Sequence, residues 1–315
     1  MDAPTLVGLG GIAVLLAAEL GLRRWRDPLA RDRSGDYSQL PAATRRLSPR
    51  ALRHAYRIVV LGDSIPFGWP LSTRDGYPAR LEALLRARYP GRSIAVINAG
   101  IGGHTAVMGL ARVERDLVRW RPHLALIAFG LNDCHLARTS LDSRREQWLY
   151  ARRRLPARLR DLLRRSALLS LLVSLGHPDR PSDSGGPALP APGVCDRPQP
   201  RVSPAAYVEA LRALVRTARR AGAQPCLLTM TPLGPAALAS TPISPAGWHL
   251  DIYWHFDRLL RAVAAEEGVP LIDVQSAFPT GPGLERFLAR DGVHLTAEGQ
   301  ALLAEAIARH AVFSI

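Results

Sequence analysis

Five short apolar runs, separated by longer segments of helical spacing, constrain this chain more than any other feature. They cover residues 58–61, inside YRIVVLGDSIPFG, then 93–98 (SIAVIN), 123–129 (HLALIAF), 225–230 and 269–274. Runs this short, bounded by Gly, Pro and Asn, read as buried strands. Between them, residues 77–89 carry Leu81, Leu84 and Leu85 at helical spacing and stop at Pro90-Gly91. Residues 107–120 read as one helix ended by Arg121-Pro122, and 205–221 and 248–267 as two more. Thr296 is placed to cap a last helix from 297 to about 310. Strands alternating with helices imply a parallel five-stranded sheet covered on both faces. In such sheets ligands bind beyond the carboxyl ends of the strands.

The 315 residues are enough for one catalytic domain with appendages. All 41 basic residues are arginine, and the net charge is +14. Without lysine, neither a phosphate-loop lysine nor a Schiff-base lysine is possible. Residues 23–57 and 138–165 each hold ten arginines against three acids, so the rest of the chain is balanced. A nucleic-acid partner is not expected. The arginines are concentrated in these two segments, aromatic interleaving is sparse, and no helix-turn-helix or zinc-finger pattern occurs. Cys134, Cys195 and Cys226 are far apart and form no C-x-x-C pair, so neither a disulfide framework nor a zinc site is expected.

Residues 5–22 (TLVGLGGIAVLLAAELGL) carry one charge, Glu19, and just reach the length of a membrane span. Arg23, Arg24, Trp25 and Arg26 follow as an interfacial anchor. The expected organisation is an N-terminal membrane-anchor helix over 1–24, a basic juxtamembrane linker over 25–55 and the main domain over 56–312. An Arg-rich helical insertion occupies 136–204 of that domain. The expected location is a single-pass membrane protein, and arginines on the carboxyl side of the span favour a cytoplasmic domain. Within the insertion, 157–175 turns from basic to leucine-rich and reads either as a helix lying on an anionic membrane or as an ordinary helix packed on the domain. Residues 177–204, rich in Pro, Gly and Ser, read as a mobile loop.

The chemistry rests on two distant stretches. Gly62-Asp63-Ser64 leaves the first strand in a tight turn, and Asp291-Gly292-Val293-His294 stands just before the last helix. At these positions both can lie on the same sheet edge. A serine hydroxyl needs a base, and the base needs a partner that holds its tautomer. His294 and Asp291 are candidates for those roles. Donors for an oxyanion are available from a backbone N–H in the glycine loop Gly100, Gly102, Gly103 and from the side chain of Asn132. Seven further histidines (His54, His104, His123, His135, His177, His249 and His255) have no metal-ligand spacing. His135 is expected at the surface, or else lining the pocket. Trp248, Tyr253 and Trp254 are expected to pack their helix, and Glu266-Glu267 to be a solvated helix end.

Four stretches, in order, resemble the SGNH hydrolases, the GDSL-type esterases and lipases. They are Gly62-Asp63-Ser64-Ile65, Asn98-Ala99-Gly100-Ile101-Gly102-Gly103, Gly130-Leu131-Asn132-Asp133 and Asp291-Gly292-Val293-His294. The resemblance covers roughly 56–312. It implies a flavodoxin-like α/β/α sandwich, no cofactor and no metal. It implies Ser64 as nucleophile, His294 as base and then acid, and Asp291 as its orienter. The implied oxyanion donors are the N–H of Ser64, the N–H of Gly103 with Gly102 one position away, and Asn132. Ile65 departs from the usual leucine. His104 stands where relatives often have aspartate, which should alter loop hydrogen bonding. The expected activity is hydrolysis of a small-molecule or lipid acyl ester, with a lysophospholipid favoured. Carbohydrate O-acetyl ester hydrolysis and acyl transfer are alternatives on the same fold. A non-catalytic basic membrane- or nucleic-acid-binding protein is the rival from another class.

Overall fold

A computed structural model describes residues 40–136, 199–238, 248–310 and 313. These all fall in one compact unit, 37–147 with 187–315. The expected anchor over 1–24 and nearly all of the insertion over 136–204 lie outside the described residues, as does Cys195. Among the described residues, no helix is long and apolar enough to cross a membrane.

The five apolar runs form one sheet: β1 (Tyr56–Gly62), β2 (Ile94–Gly100), β3 (Leu124–Ala128), β4 (Gln224–Leu228) and β5 (Leu271–Ile272). Every pairing is parallel and the order is β2-β1-β3-β4-β5. Ile58, Val59, Val60 and Leu61 of β1 are wholly buried, as a strand covered on both faces must be. The strand order reverses at β1. Right-handed crossovers therefore send the β1–β2 connection to one face and the later ones to the other. The helices follow this rule. Tyr77–Arg88 packs on β2 and on the last helix, Ala297–Arg309, while Pro204–Arg220 packs on Ala106–Ala111, Leu250–Glu266 and β4. Thr296 caps the last helix by accepting from the Gly299 N–H at 3.1 Å.

Two elements differ from expectation. The fifth strand is only two residues long and closes the sheet at its edge. The helix expected over 107–120 is broken into Ala106–Ala111, Val113–Asp116 and a 3₁₀ turn, Val118–Trp120. The break falls at Arg112, whose side chain turns inward. Its guanidinium donates to Gly62 O and Ala99 O, each at 2.7 Å, and to Asp116 Oδ2 at 2.5 Å. Both side chains of that pair are fully buried. Three acceptors for one planar cation explain why the backbone gives way there.

The described part of the expected linker, from residue 40 onward, packs on the domain. Leu40 and Thr44 are buried, and the Thr44 hydroxyl donates to Asn98 O at 2.7 Å. The Arg57 guanidinium ties Leu52, Arg53 and Ala55 to Trp120 and Arg121 through five backbone carbonyls. Replacing Arg112 by Met removes a side-chain donor from two buried strand carbonyls, leaving Gly62 O with the Ile101 N–H, and weakens the neutralisation of Asp116. The expected cost is about 3–5 kcal/mol, read as a lower urea midpoint with an unchanged slope.

Candidate active site

β1 ends between the ends of β2 and β3, with Gly62 in register with both Gly100 and Ala128. The loops after all three strands therefore converge at one point of the sheet edge, where the strand order reverses. Ser64 opens a single helical turn, Ser64–Phe67, that Asp63 caps by accepting from the Ile65 N–H at 3.0 Å. The turn sits directly against the strands. A Cβ on Gly100 would lie 2.4 Å from Phe67 N, and one on Gly62 would lie 2.5 Å from Ala128 O. Only glycine admits this approach.

The turn's carbonyls are each held. Gly62 O accepts from Arg112, Pro66 O from Asn98 Nδ2 at 2.6 Å, and Ile65 O from Gln300 Nε2 at 3.2 Å. Gln300 also accepts from the Tyr77 N–H at 2.8 Å, so one buried amide joins two helices to the turn. None of these three supports was anticipated from the sequence. A signal existed for Gln300, which lies on the same buried helical stripe as Leu303, Ala304 and Ile307. Arg112 and Asp116 likewise stand at i,i+4 spacing on an otherwise apolar face.

The stretch before the last helix is locally determined. Asp291 Oδ1 accepts from the backbone N–H of Val293 and of His294, each at 3.0 Å, which closes the turn. Its other oxygen lies 2.5 Å from His294 Nδ1. The opposite ring nitrogen, Nε2, lies 2.9 Å from Ser64 Oγ. Partial burial would push the Asp291 carboxyl up. The imidazole and the two N–H donors outweigh it and hold the group well below the ordinary carboxylate range. An ionised carboxylate only accepts, so Nδ1 carries the proton and Nε2 is left to accept from the serine hydroxyl. Ser64, His294 and Asp291 are thus brought together in one chain of hydrogen bonds, across 230 residues of sequence.

Asn132 lies in the single turn Leu131–Cys134 that follows β3, and its Nδ2 donates to Asp63 Oδ2 at 3.4 Å. Gly103 has a left-handed φ of 75°. A Cβ on its neighbour Gly102 would stand 4.0 Å from Ser64 Cβ, so the glycine loop runs beside the serine. Arg201, also unanticipated, donates to Gly103 O at 3.0 Å and to Asn132 Oδ1 at 3.5 Å. Asp133 is fully buried and accepts from the Ala106 N–H at 2.9 Å, which anchors the helix after the glycine loop. His104, in the same loop, is buried.

His135 is buried rather than at the surface. Its ring meets the edge of Trp248 at 4.3 Å, and Trp248 Nε1 donates to Leu131 O at 3.3 Å. Tyr253 packs in the core, whereas Trp254 stays 44% exposed against the edge of Tyr253. Glu266 is the expected solvated helix end, paired with Arg212, whereas the Glu267 side chain is only 11% exposed and pairs with Arg216 and Arg219. Cys134 and Cys226 are buried free thiols, both pushed up by burial. Among the described residues, no cluster of three or more His, Cys, Asp or Glu side chains could hold a metal.

Comparison with known proteins identifies the family and the fold. A model of the GDSL-like lipase/acylhydrolase family matches residues 60–302. The chain is similar to an arylesterase of Vibrio mimicus, 38% identical over 78 residues, covering 24% of this chain and 38% of that protein. It is also similar to an acetylxylan esterase of Geobacillus stearothermophilus, 41% identical over 58 residues, covering 18% of this chain and 26% of that one. The matches thus span well under half the length of these curated relatives. The crystal structure of a lipase/acylhydrolase from Enterococcus faecalis shares the fold, with TM-score 0.52 and 20% identity over 80% of this chain and 93% of that one.

Asp63 supplies a pH test of the turn. Burial pushes its carboxyl up to about 6, against the opposing pull of the Ile65 N–H, His294 and Asn132. A raised carboxyl binds its proton more tightly in the folded chain than in the unfolded one. Its contribution to stability is therefore fully present below the unfolded value near 4 and is lost as pH rises through about 6. The stability of Asp63→Asn relative to the parent should rise by about 2 kcal/mol between pH 4.5 and 7.5. Urea titrations at the two pH values measure the difference.

Proposed function

The chain belongs to the GDSL-like lipase/acylhydrolase family, and from that premise we propose that it hydrolyses carboxylic esters through an acyl-serine intermediate. The observation that carries the reading is the 2.9 Å approach of His294 Nε2 to Ser64 Oγ, with Nδ1 already engaged by Asp291. Ser64 Oγ attacks the ester carbonyl carbon while its proton passes to Nε2. Asp291 keeps the imidazole in the accepting tautomer and stabilises the imidazolium that forms. The carbonyl oxygen, now negative, takes hydrogen bonds from the N–H groups of Ser64 and Gly103 and from Asn132 Nδ2. As the tetrahedral intermediate collapses, the C–O bond to the alcohol breaks, and Nε2 returns its proton to the leaving oxygen. Water then repeats the sequence on the acyl-serine, releasing the acid and restoring Ser64.

A lipid-like acyl ester, such as a lysophospholipid, is the favoured substrate. The support is the apolar segment 5–22 with its arginine-tryptophan flank, and the basic, leucine-rich run 157–175. Both would bring the protein to a membrane, the first as an anchor and the second as a surface helix. A second reading, removal of acetyl groups from a carbohydrate, is favoured by the likeness to an acetylxylan esterase.

The test is hydrolysis of 4-nitrophenyl esters from acetyl to palmitoyl. Parent activity is expected to disappear in Ser64→Ala, together with labelling by a fluorophosphonate. Asn132→Ala should lower kcat about 10²- to 10³-fold, the scale of one oxyanion donor. Preference for long acyl chains supports the lipid reading, and confinement to acetyl esters supports the carbohydrate one. An active Ser64→Ala would refute the mechanism.

A further inference from the structure

Two of the proposed oxyanion donors sit on separate loops, one after β2 and one after β3, and each has a freedom that must be removed. Gly103 has no side chain and a left-handed backbone. Asn132 carries an amide whose two ends can exchange by rotation about a single bond. A single atom addresses both. Arg201 Nη1 donates to the Gly103 carbonyl at 3.0 Å and to Asn132 Oδ1 at 3.5 Å.

The position of Arg201 is itself held by the backbone. Its N–H donates to His135 O at 2.9 Å, the next N–H, on Val202, donates to Asp133 O at 3.3 Å, and Leu136 pairs with Pro200 in an antiparallel bridge. The strand-like segment carrying Arg201 is therefore clamped to the chain that leaves Asn132.

The charges at the two ends of the Asn132 amide are opposite. A guanidinium only donates, so it can meet only Oδ1. On the far side, Nδ2 donates to Asp63 Oδ2 at 3.4 Å. Reversal of the amide would set Nδ2 against the cation and Oδ1 against the carboxylate, a double repulsion. The amide is thus oriented with Nδ2 on the side of Asp63 and its neighbour Ser64, where an oxyanion donor is needed. Pull on Oδ1 by a cation also polarises the amide and strengthens its N–H as a donor.

We propose that Arg201 is a positioning residue for ester hydrolysis, one whose guanidinium binds the Gly103 carbonyl and the Asn132 amide oxygen and so aligns the two loops that supply the oxyanion hole. The proposal rests on the esterase reading. It assigns Arg201 no contact with substrate; its effect passes through Asn132 and Gly103.

The test compares the full-length parent with Arg201→Met, Arg201→Lys, Asn132→Ala and the Asn132→Ala/Arg201→Met double variant on one 4-nitrophenyl ester. Arg201→Met should lower kcat 10- to 100-fold with KM unchanged within twofold, since only the developing charge is affected. Arg201→Lys, which keeps a donor and the charge, should recover part of the loss. In the Asn132→Ala background, Arg201→Met should cost less than threefold, because the group it orients is already gone. A purely structural role would instead cost the same in both backgrounds, and that result overturns the proposal. So does wild-type kcat in Arg201→Met, or a rise in KM with kcat unchanged, which would make Arg201 a substrate ligand. If Arg201→Met melts early, Arg201→Lys decides: kcat between the two extremes with parental melting supports the proposal, and parental kcat in both Arg201→Lys and Arg201→Gln overturns it. A parent that cleaves no ester and takes no fluorophosphonate on Ser64 refutes the esterase reading first, and the proposal falls with it. An active parent with any of the overturning variant results refutes the proposal alone.

Discussion

The structure depends on how the chain leaves β1. A tight turn at the strand end packs backbone carbonyls into a place closed to water, where each must be met by donors from the protein. Here the carbonyls of Gly62, Ile65 and Pro66 are taken by Arg112, Gln300 and Asn98. These three come from the helix after β2, the last helix, and β2 itself. The position of Ser64 is therefore determined by the packing of the whole domain rather than by the turn alone. The same physics explains the broken helix at Arg112. A buried guanidinium with three acceptors outweighs the loss of a helical turn, because leaving those acceptors bare would cost more.

Two carboxylates close to Ser64 are driven in opposite directions by their surroundings. Asp291 has an imidazole and two backbone N–H groups around it and stays ionised far into acid. Asp63 is buried with fewer donors, and its proton is held up to about 6. The first state suits a partner that must keep a histidine in one tautomer. The second ties protonation to the stability of the turn. Separation of the two by environment, with the same functional group, is how one site combines a permanent charge with a titrating one.

The exclusive use of arginine as the cation has structural consequences. Arg57 serves five carbonyls, Arg112 two carbonyls and a carboxylate, and Arg201 two acceptors on different loops. A planar fork of five donors can do this, and a lysine ammonium cannot hold the same geometry. The exposed pair of Arg212 with Glu266 is a different case, contributing little in water.

The sequence by itself determined the sheet and its parallel sense, and it marked Ser64, Asn132, Asp291 and His294 as candidates for one edge; the 2.9 Å approach of His294 to Ser64 came from the tertiary structure. Apolar runs of strand length and turn-forming residues after each run are local signals, and the alternation of strand and helix leaves few topologies. The Asp291 turn was legible for the same reason, since its hydrogen bonds span three residues. Tertiary structure alone decided the supports. Arg112, Gln300 and Arg201 act on atoms 50, 235 and 98 residues away, and their side chains look like ordinary helix or loop residues in the sequence. Burial of His135 against Trp248 and the shortening of β5 were likewise set by neighbours distant in the chain. Periodicity reports which face of an element is apolar; it carries no record of which distant carbonyl a polar side chain will meet, because that pairing exists only once the layers have packed.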